Sequence, residues 1–187
     1  MKKAILSLAI FAISLFTSTE IVAQKFPKLD ISPMDASTYP NNWREANKLV
    51  KVTYGRPQLK GRELSKLAPE GKVWRTGANE AAEITFYKDV IFGDKKVKQG
   101  TYTLFTIPNE KEWTVILSTA KNVWGSYFYD ESEDVARVSI ETSISENSIE
   151  AFSIVFDGEN ESAKMHLGWA TTVISVPITY KQVTEKE

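Results

Sequence analysis

The chain contains no cysteine among its 187 residues, and this absence excludes several kinds of protein chemistry. Disulfide bridges, thiolate zinc sites, cysteine nucleophiles and lipid anchors attached to a cysteine all need a residue that does not occur. A chain without disulfides must be stabilised by its hydrophobic core. A composition with 42% hydrophobic residues can supply such a core.

Histidine is almost as scarce, because His166 is the only one in the chain. It alternates with the apolar residues Met165, Leu167 and Trp169, which predicts an exposed strand residue. Any histidine-dependent triad would have to use it. Neither the G-x-S-x-G nor the H-E-x-x-H motif occurs. A transition-metal site would need carboxylates with at most one imidazole, so we expect no metal site and no cofactor.

An excess of charge of one sign is also missing, since the formal net charge is −1. A nucleic-acid-binding domain usually carries a basic stripe, and a membrane-surface protein usually carries a basic patch. The sequence has neither, so we expect no nucleic-acid partner. The Asp157–Glu161 stretch contains several acidic residues, but Asp157-Gly158 between two strand-like runs is typical of a hairpin turn rather than a calcium loop.

Only the N-terminus carries a long apolar run. Lys2 and Lys3 precede the apolar stretch Ala4–Phe16, and a more polar segment follows with Ala23 before Gln24. This order is typical of a secretory signal peptide, and the run is shorter than the ~20 residues of a membrane span. We predict cleavage after residue 23 and export to the periplasm or the medium, with no membrane span in the mature chain. An uncleaved anchor is the alternative.

The rest of the chain is dominated by a period of two, which is typical of half-buried strands. Val50, Val52 and Tyr54 alternate with polar residues, and similar short runs separated by turn signals continue to the C-terminus. The pattern predicts an all-β chain of about ten short strands with one short helical turn at Arg62–Leu67, folded as a single-domain antiparallel β-sandwich, jelly-roll-like. We place this domain at residues 48–181, between a proline-broken irregular segment (24–47) and a polar tail (182–187).

Two polar stretches are candidates for a ligand site. YGRPQLKGR (residues 54–62) and WRTGANE (residues 74–80) together hold three arginines and one lysine, and arginine can chelate carboxylate or phosphate through two parallel hydrogen bonds. Asn79 can donate and accept hydrogen bonds, and Glu80 can accept a proton. The predicted ligand-binding residues are Arg56, Lys60, Arg62, Trp74, Arg75, Asn79 and Glu80. The alternative is that Arg75 and Glu80 form an internal salt bridge that fixes the loop.

Aromatic residues supply a second kind of candidate. Trp74, Trp124, Tyr127 and Tyr129 can act as platforms for a sugar ring or another flat ligand. The sequence does not distinguish exposed aromatic residues from those in the core, and a β-sandwich needs several in its core. Both interpretations stay open at this point.

An ordered series of motifs makes the chain resemble a known family. SPMD (residues 32–35), YGRPQLKGR, VWRTGANEA, GTYTLFTIPNEKEWTVIL, WGSYFY, DVARVSI, IEAFSIVF and WATTVISVPI follow one another from about Ser32 to Ile178. They resemble exported bacterial proteins of the domain of unknown function 2911 family. The resemblance implies an exported β-domain and carries over no catalytic residue. The chain departs from the family pattern at residues 64–66 and at Ala82, where the family usually has threonine.

Three functional hypotheses follow. The first is a binding module that uses the Arg/Asn/Glu-lined polar site for an anionic or carbohydrate-like ligand. The second is a hydrolase acting on an envelope or extracellular polymer, with Glu80 as acid or base. The third is a structural or interaction domain of an envelope assembly, which would bind a protein partner through a sheet edge or an apolar patch.

Overall fold

The computed structural model describes residues 24–180. The predicted signal peptide and the predicted C-terminal tail lie outside these residues. Within the described range, no helix has the length and apolar character that crossing a bilayer requires.

Ten strands make up most of the described chain, with one four-residue helix and one 3-10 turn. The strands are β1 (Met34–Tyr39), β2 (Val50–Gly55), β3 (Ala82–Phe86), β4 (Val90–Phe92), β5 (Lys95–Val97), β6 (Gly100–Ile107), β7 (Glu112–Ser118), β8 (Asp134–Glu141), β9 (Ser143–Glu159) and β10 (Ser162–Tyr180). The helix α1 spans Leu64–Leu67, where the sequence predicts a helical turn, and the 3-10 turn spans Glu131–Glu133.

The strands form two antiparallel sheets, which confirms the predicted all-β sandwich. The six-stranded sheet has the order β1-β2-β3-β6-β7-β8, and the four-stranded sheet has the order β5-β4-β10-β9. Alternate residues of both sheets are buried in one hydrophobic core, as a period of two requires. Most consecutive strands are neighbours in one sheet. The chain crosses between the sheets after β3, β5 and β8, and β4 pairs with β10 from the end of the described chain.

Strand β1 corrects the prediction that residues 24–47 are irregular. Met34–Tyr39 pairs along its whole length with β2. Pro33 and Pro40 lie immediately outside the strand, where a missing N–H costs no ladder hydrogen bond. The prolines therefore delimit this edge strand and do not prevent it.

Strand β10 folds back on itself. A straight strand of this length would span roughly 60 Å at about 3.3 Å per residue. The amide of Tyr180 nevertheless donates to the carbonyl of Glu161, just before the first residue of β10, at 2.8 Å. Ala170, near the midpoint, has a φ of 51°, which is the left-handed conformation of a reversal. The two halves of β10 therefore lie side by side, as the two apolar runs in the sequence suggest.

Candidate functional site

The WRTGANE loop (residues 74–80) connects two positions on the six-stranded sheet. The amide of Trp74 donates to Thr106 O of β6 at 2.7 Å, and the amide of Thr106 donates back to Trp74 O at 3.0 Å. The amide of Ala82, at the start of β3, then donates to Arg75 O at 3.0 Å. Residues 76–81 thus leave the sheet after Arg75 and return to it at Ala82, which is hydrogen-bonded to Arg75.

Two residues of this loop have left-handed backbone, Thr76 with a φ of 54° and Asn79 with a φ of 63°. Thr76 is a β-branched residue, for which this conformation costs on the order of 1–3 kcal/mol. Its side chain is buried, and Thr76 Oγ1 lies 3.2 Å from Thr106 Oγ1. The fold around the loop must therefore hold this strained turn in place.

The backbones of the two candidate stretches touch each other at two glycines. A Cβ added to Gly55 would lie 2.4 Å from Ala78 O, and one added to Gly77 would lie 3.0 Å from Gly55 O. Side chains are excluded from both positions, because Cβ atoms do not approach backbone atoms this closely. The glycines of YGRPQLKGR and WRTGANE therefore bring the two loops into direct contact.

Trp74, one of the predicted ligand-binding residues, is only 5% exposed. Its ring stacks on Trp169 with centroids 5.4 Å apart and meets Phe152 edge to face at 5.0 Å. It also contacts Trp113 at 6.2 Å. The ring is part of the main core and offers no surface to a ligand.

The arginines of YGRPQLKGR are engaged by the fold. Arg56 donates from Nε to Phe152 O at 3.1 Å, from Nη1 to Asp35 Oδ2 at 3.0 Å and from Nη2 to Ser153 Oγ at 2.8 Å. These contacts join β1 to β9 across the two sheets. Arg62 donates from Nε to Leu59 O at 2.9 Å and from Nη2 to Gln58 O at 2.8 Å.

The same stretch binds to β9, the edge strand of the four-stranded sheet. The amides of Leu59 and Lys60 donate to Glu150, to its carbonyl at 2.9 Å and to its carboxylate at 2.7 Å. Gln58 forms a bridge with Ala151. The Lys60 side chain is exposed, but it lies on this edge-covering segment and apart from the WRTGANE loop.

The polar side chains of the WRTGANE loop are mostly unused by the fold. Arg75 donates from Nε to Gly77 O at 3.2 Å, and its two Nη groups have no partner within residues 24–180. The side chains of Asn79 and Glu80 have no hydrogen-bond or ion-pair partner in that range, and Glu80 is exposed. The alternative of an internal Arg75–Glu80 salt bridge is therefore wrong for the described chain.

A second loop, residues 119–130, lies against the WRTGANE loop, and we refer to it as the aromatic loop. Glu80 and Trp124 form a β-bridge. The amide of Ala81 donates to Val123 O at 2.9 Å, and the amide of Gly125 donates to Asn79 O at 3.0 Å. Partners in a β-bridge carry side chains on the same face with Cβ atoms about 5 Å apart, so Glu80 stands beside Trp124.

The aromatic loop presents large rings to solvent. Trp124 is 59% exposed, Tyr127 is 76% exposed and Phe128 is 85% exposed. The sequence indicated Trp124 and Tyr127 as possible platforms but missed Phe128, because a phenylalanine is ordinarily a core residue. A single exposed apolar residue needs no explanation, but three within five positions form a patch of the kind that marks a binding surface.

Tyr129 anchors this loop from below and is not part of the exposed patch. Its ring meets Phe105 edge to face at 5.3 Å, in a small cluster on the outer face of the six-stranded sheet. Its hydroxyl donates to Asp134 Oδ2 at 2.5 Å and accepts from Arg137 Nη1 at 2.7 Å. Burial, followed by the hydrogen bond to Asp134, raises the pKa of the Tyr129 phenol well above its ordinary value.

The fold and this surface together define an antiparallel β-sandwich with an aromatic loop that is hydrogen-bonded to the outer face of one sheet. The family model described as "Protein of unknown function (DUF2911)" matches residues 32–178, and the chain belongs to this family. No curated protein and no solved structure matched the chain.

The departure from the family pattern at Ala82 falls in the core. Ala82 is fully buried at the first position of β3. A threonine hydroxyl at this position would point into the sandwich and away from the aromatic loop. The alanine therefore removes no group from the candidate surface.

Proposed function

We propose that this protein is a carbohydrate-binding module whose site is formed by the aromatic loop and the WRTGANE loop. The observation that carries the proposal is the patch of Trp124, Tyr127 and Phe128 beside polar side chains that the fold leaves unused. Sugar rings present apolar C–H faces that stack on aromatic rings, and their hydroxyls pair with planar polar groups. Glu80 and Asn79 are such groups.

The hydrogen bonds that hold the aromatic loop against the sheet support this proposal. Thr103 Oγ1 donates to Ala120 O, Lys121 Nζ donates to Thr101 O at 2.8 Å, and Ser126 Oγ donates to Val73 O at 2.9 Å. A loop held in its binding conformation loses little entropy when a ligand binds, which raises affinity. A shallow aromatic surface needs this advantage because it buries little ligand area.

The charges beside the patch favour a neutral or weakly charged glycan over a strongly anionic ligand. Arg75 and Lys121 contribute two positive charges, and Glu80 and Asp130 contribute two negative charges. Arg56 and Arg62, the other predicted anion-binding residues, are bound to protein carbonyls and to Asp35. The polar groups that remain suit hydroxyls, which both donate and accept hydrogen bonds.

The test is binding to a panel of neutral and acidic polysaccharides by affinity electrophoresis, followed by titration calorimetry on the best ligand. Trp124→Ala is expected to weaken binding at least tenfold, equivalent to about 1.4 kcal/mol, without lowering the free energy of unfolding. Trp43→Ala is the matched control, because Trp43 is 83% exposed but lies between β1 and β2. Failure to bind any polysaccharide, or equal loss in the two variants, would contradict the proposal.

No specific observation favours the Glu80-dependent hydrolase or the envelope-assembly role over carbohydrate binding. A carboxylic acid that acts as general acid is usually kept protonated by burial or by a like charge, whereas Glu80 is exposed. A role in an envelope assembly stays a prediction, with the exposed patch as the surface that a protein partner would contact.

A further inference from the structure

Gly125 lies in the aromatic loop between two of its exposed rings, Trp124 and Tyr127. Its φ is 69°, a left-handed conformation, and its amide donates to Asn79 O at 3.0 Å. A Cβ added to Gly125 would lie 2.6 Å from Cε2 and 2.8 Å from Cδ2 of the Tyr127 ring. Because any side chain at this position would overlap the ring, the Cδ2–Cε2 side of Tyr127 lies directly against the backbone of Gly125.

The rest of the Tyr127 ring is open to solvent, since this residue is 76% exposed. Its side chain has no hydrogen bond, ion pair or ring contact with any residue in the range 24–180. The contact with the glycine backbone therefore leaves most of the ring surface available to a ligand.

The backbone that supports the ring is itself held in place on both sides of Gly125. Before the glycine, Val123 O accepts from the amide of Ala81 at 2.9 Å, and Trp124 forms the β-bridge with Glu80. After the glycine, Ser126 Oγ donates to Val73 O at 2.9 Å. The Tyr127 ring is therefore positioned relative to Trp124 and Glu80, which belong to the proposed carbohydrate site.

The contact with Gly125 has a consequence for binding. An exposed tyrosine side chain without such a contact samples several rotamers, and it loses this freedom when a ligand binds. A ring that already lies against the backbone loses less freedom, so stacking on it contributes more to affinity. This advantage depends on the missing side chain of Gly125, because a larger residue would displace the ring.

Trp124 and Tyr127 provide two separate surfaces for stacking. Both rings are mostly exposed, and these two described residues make no ring contact with each other. Each ring can therefore stack on a sugar unit of its own. The ligand class that fits two such rings is an oligosaccharide segment of two or more units rather than a monosaccharide.

We propose that the carbohydrate site binds adjacent sugar units on Trp124 and Tyr127, and that Gly125 is the residue that positions Tyr127 for the second unit. This inference rests on the proposed function and names the ligand class of the same site. Gly125 acts through Tyr127, because glycine has no side chain to offer a sugar.

The position of the ring is testable without any carbohydrate. An aromatic ring current shifts the NMR resonances of protons that lie against the ring. The α-proton resonances of Gly125 are therefore expected to move when Tyr127→Leu removes the ring. Unchanged Gly125 resonances in Tyr127→Leu would show that the ring does not lie against this residue, and they would overturn the proposal.

The binding role is tested by NMR titration with cello-, laminari- and xylo-oligosaccharides of one to six units. For the unchanged chain, affinity in the best series is expected to rise at least about fivefold from one unit to longer chains. Tyr127→Leu should lose this rise. Gly125→Ala should lose most of it, but its affinity for one unit should stay unchanged, because Trp124 is intact.

Gly71→Ala is the matched control for the glycine substitution. Gly71 has a φ of 67°, so alanine there meets the same left-handed strain, but no atom lies within 4 Å of its added Cβ. This variant should keep the full rise in affinity with chain length. Equal losses in Gly125→Ala and Gly71→Ala would assign the effect to backbone strain and overturn the positioning role.

The remaining outcomes separate this inference from the proposed function. If the unchanged chain binds no member of the polysaccharide panel, the proposed function fails and this inference fails with it. If a polysaccharide binds but affinity for the oligosaccharides does not rise with length, only the two-unit site is refuted. If Gly125→Ala keeps the rise, only the positioning role of Gly125 is refuted.

Discussion

YGRPQLKGR and WRTGANE contain similar polar residues, but only the first stretch uses its arginine side chains in several hydrogen bonds to the rest of the fold. In the first stretch, Arg56 and Arg62 donate to backbone carbonyls and to side chains of the fold. In the second stretch, Arg75 keeps both Nη groups unpaired within residues 24–180, and Asn79 and Glu80 have no side-chain partner there. The same residue types therefore stabilise the sandwich in one place and remain available to a ligand in the other.

The neighbouring strand accounts for this difference. YGRPQLKGR runs beside β9, the edge of the four-stranded sheet, where backbone groups lack a ladder partner. Arg56 binds Phe152 O, and the amide of Phe152 donates to Pro57 O at 2.9 Å. WRTGANE borders β6, whose backbone pairs with β3, with β7 and, at Thr106, with the backbone of Trp74 itself. No unpaired edge is left for its side chains.

The largest expected effect comes from breaking the contact between the two stretches. Gly55→Ala places a Cβ 2.4 Å from Ala78 O, so one backbone segment must move. We expect the free energy of unfolding to fall by about 3 kcal/mol, measured by urea denaturation. Gly71→Ala is the control, because Gly71 has a φ of 67° but open space around it. That variant should lose only about 1 kcal/mol, and equal losses would refute a rigid backbone contact.

The arginines provide a more direct test of the comparison. Arg56→Met removes three hydrogen bonds and leaves Phe152 O and Asp35 Oδ2 without the Arg56 donor, so we expect a loss of about 2 kcal/mol in the free energy of unfolding. Arg75→Met is the matched variant and should change it by less than about 0.5 kcal/mol. Arg75→Met, but not Arg56→Met, should weaken polysaccharide binding. Similar stability losses for the two variants would remove the distinction between the stretches.

The fold was predictable because burial on one face of a strand leaves a direct trace in the sequence. Val50, Val52 and Tyr54 alternate with polar residues and are buried as this alternation predicts. Strand β1 escaped notice because prolines at both ends of a six-residue strand resemble the prolines of a loop. The reversal of β10 lacks the usual turn signal, since Ala170 takes the left-handed conformation that glycine or asparagine usually takes.

The candidate site was less predictable, because partner choice depends on tertiary contacts. The sequence gives no reason to distinguish Arg56 from Arg75. In the structure, Arg56 donates to a carbonyl of the edge strand β9, whereas the Nη groups of Arg75 have no partner within residues 24–180. The sequence likewise marks Trp74 and Trp124 as equal, although one lies in the core and the other is exposed. His166 meets Ser175 only because β10 reverses between them, so the residue predicted to be exposed has a side chain that is only 24% exposed. Residue chemistry can therefore indicate a candidate binding residue, but the topology determines whether its hydrogen-bonding groups remain unpaired.

The smallest expected effect concerns the anchor of the aromatic loop. Burial and the Asp134 carboxylate raise the pKa of Tyr129, so the folded chain keeps this proton at a pH where an unfolded tyrosine, with a pKa of about 10, loses it. The contribution to stability is therefore complete below about pH 10 and is lost as pH rises further. Asp134→Asn removes the carboxylate but leaves the burial, which is the larger cause. Absorbance titration of the phenolate should show this tyrosine ionising at lower pH in Asp134→Asn than in the unchanged chain. An unchanged titration would indicate that Asp134 does not hold the hydroxyl.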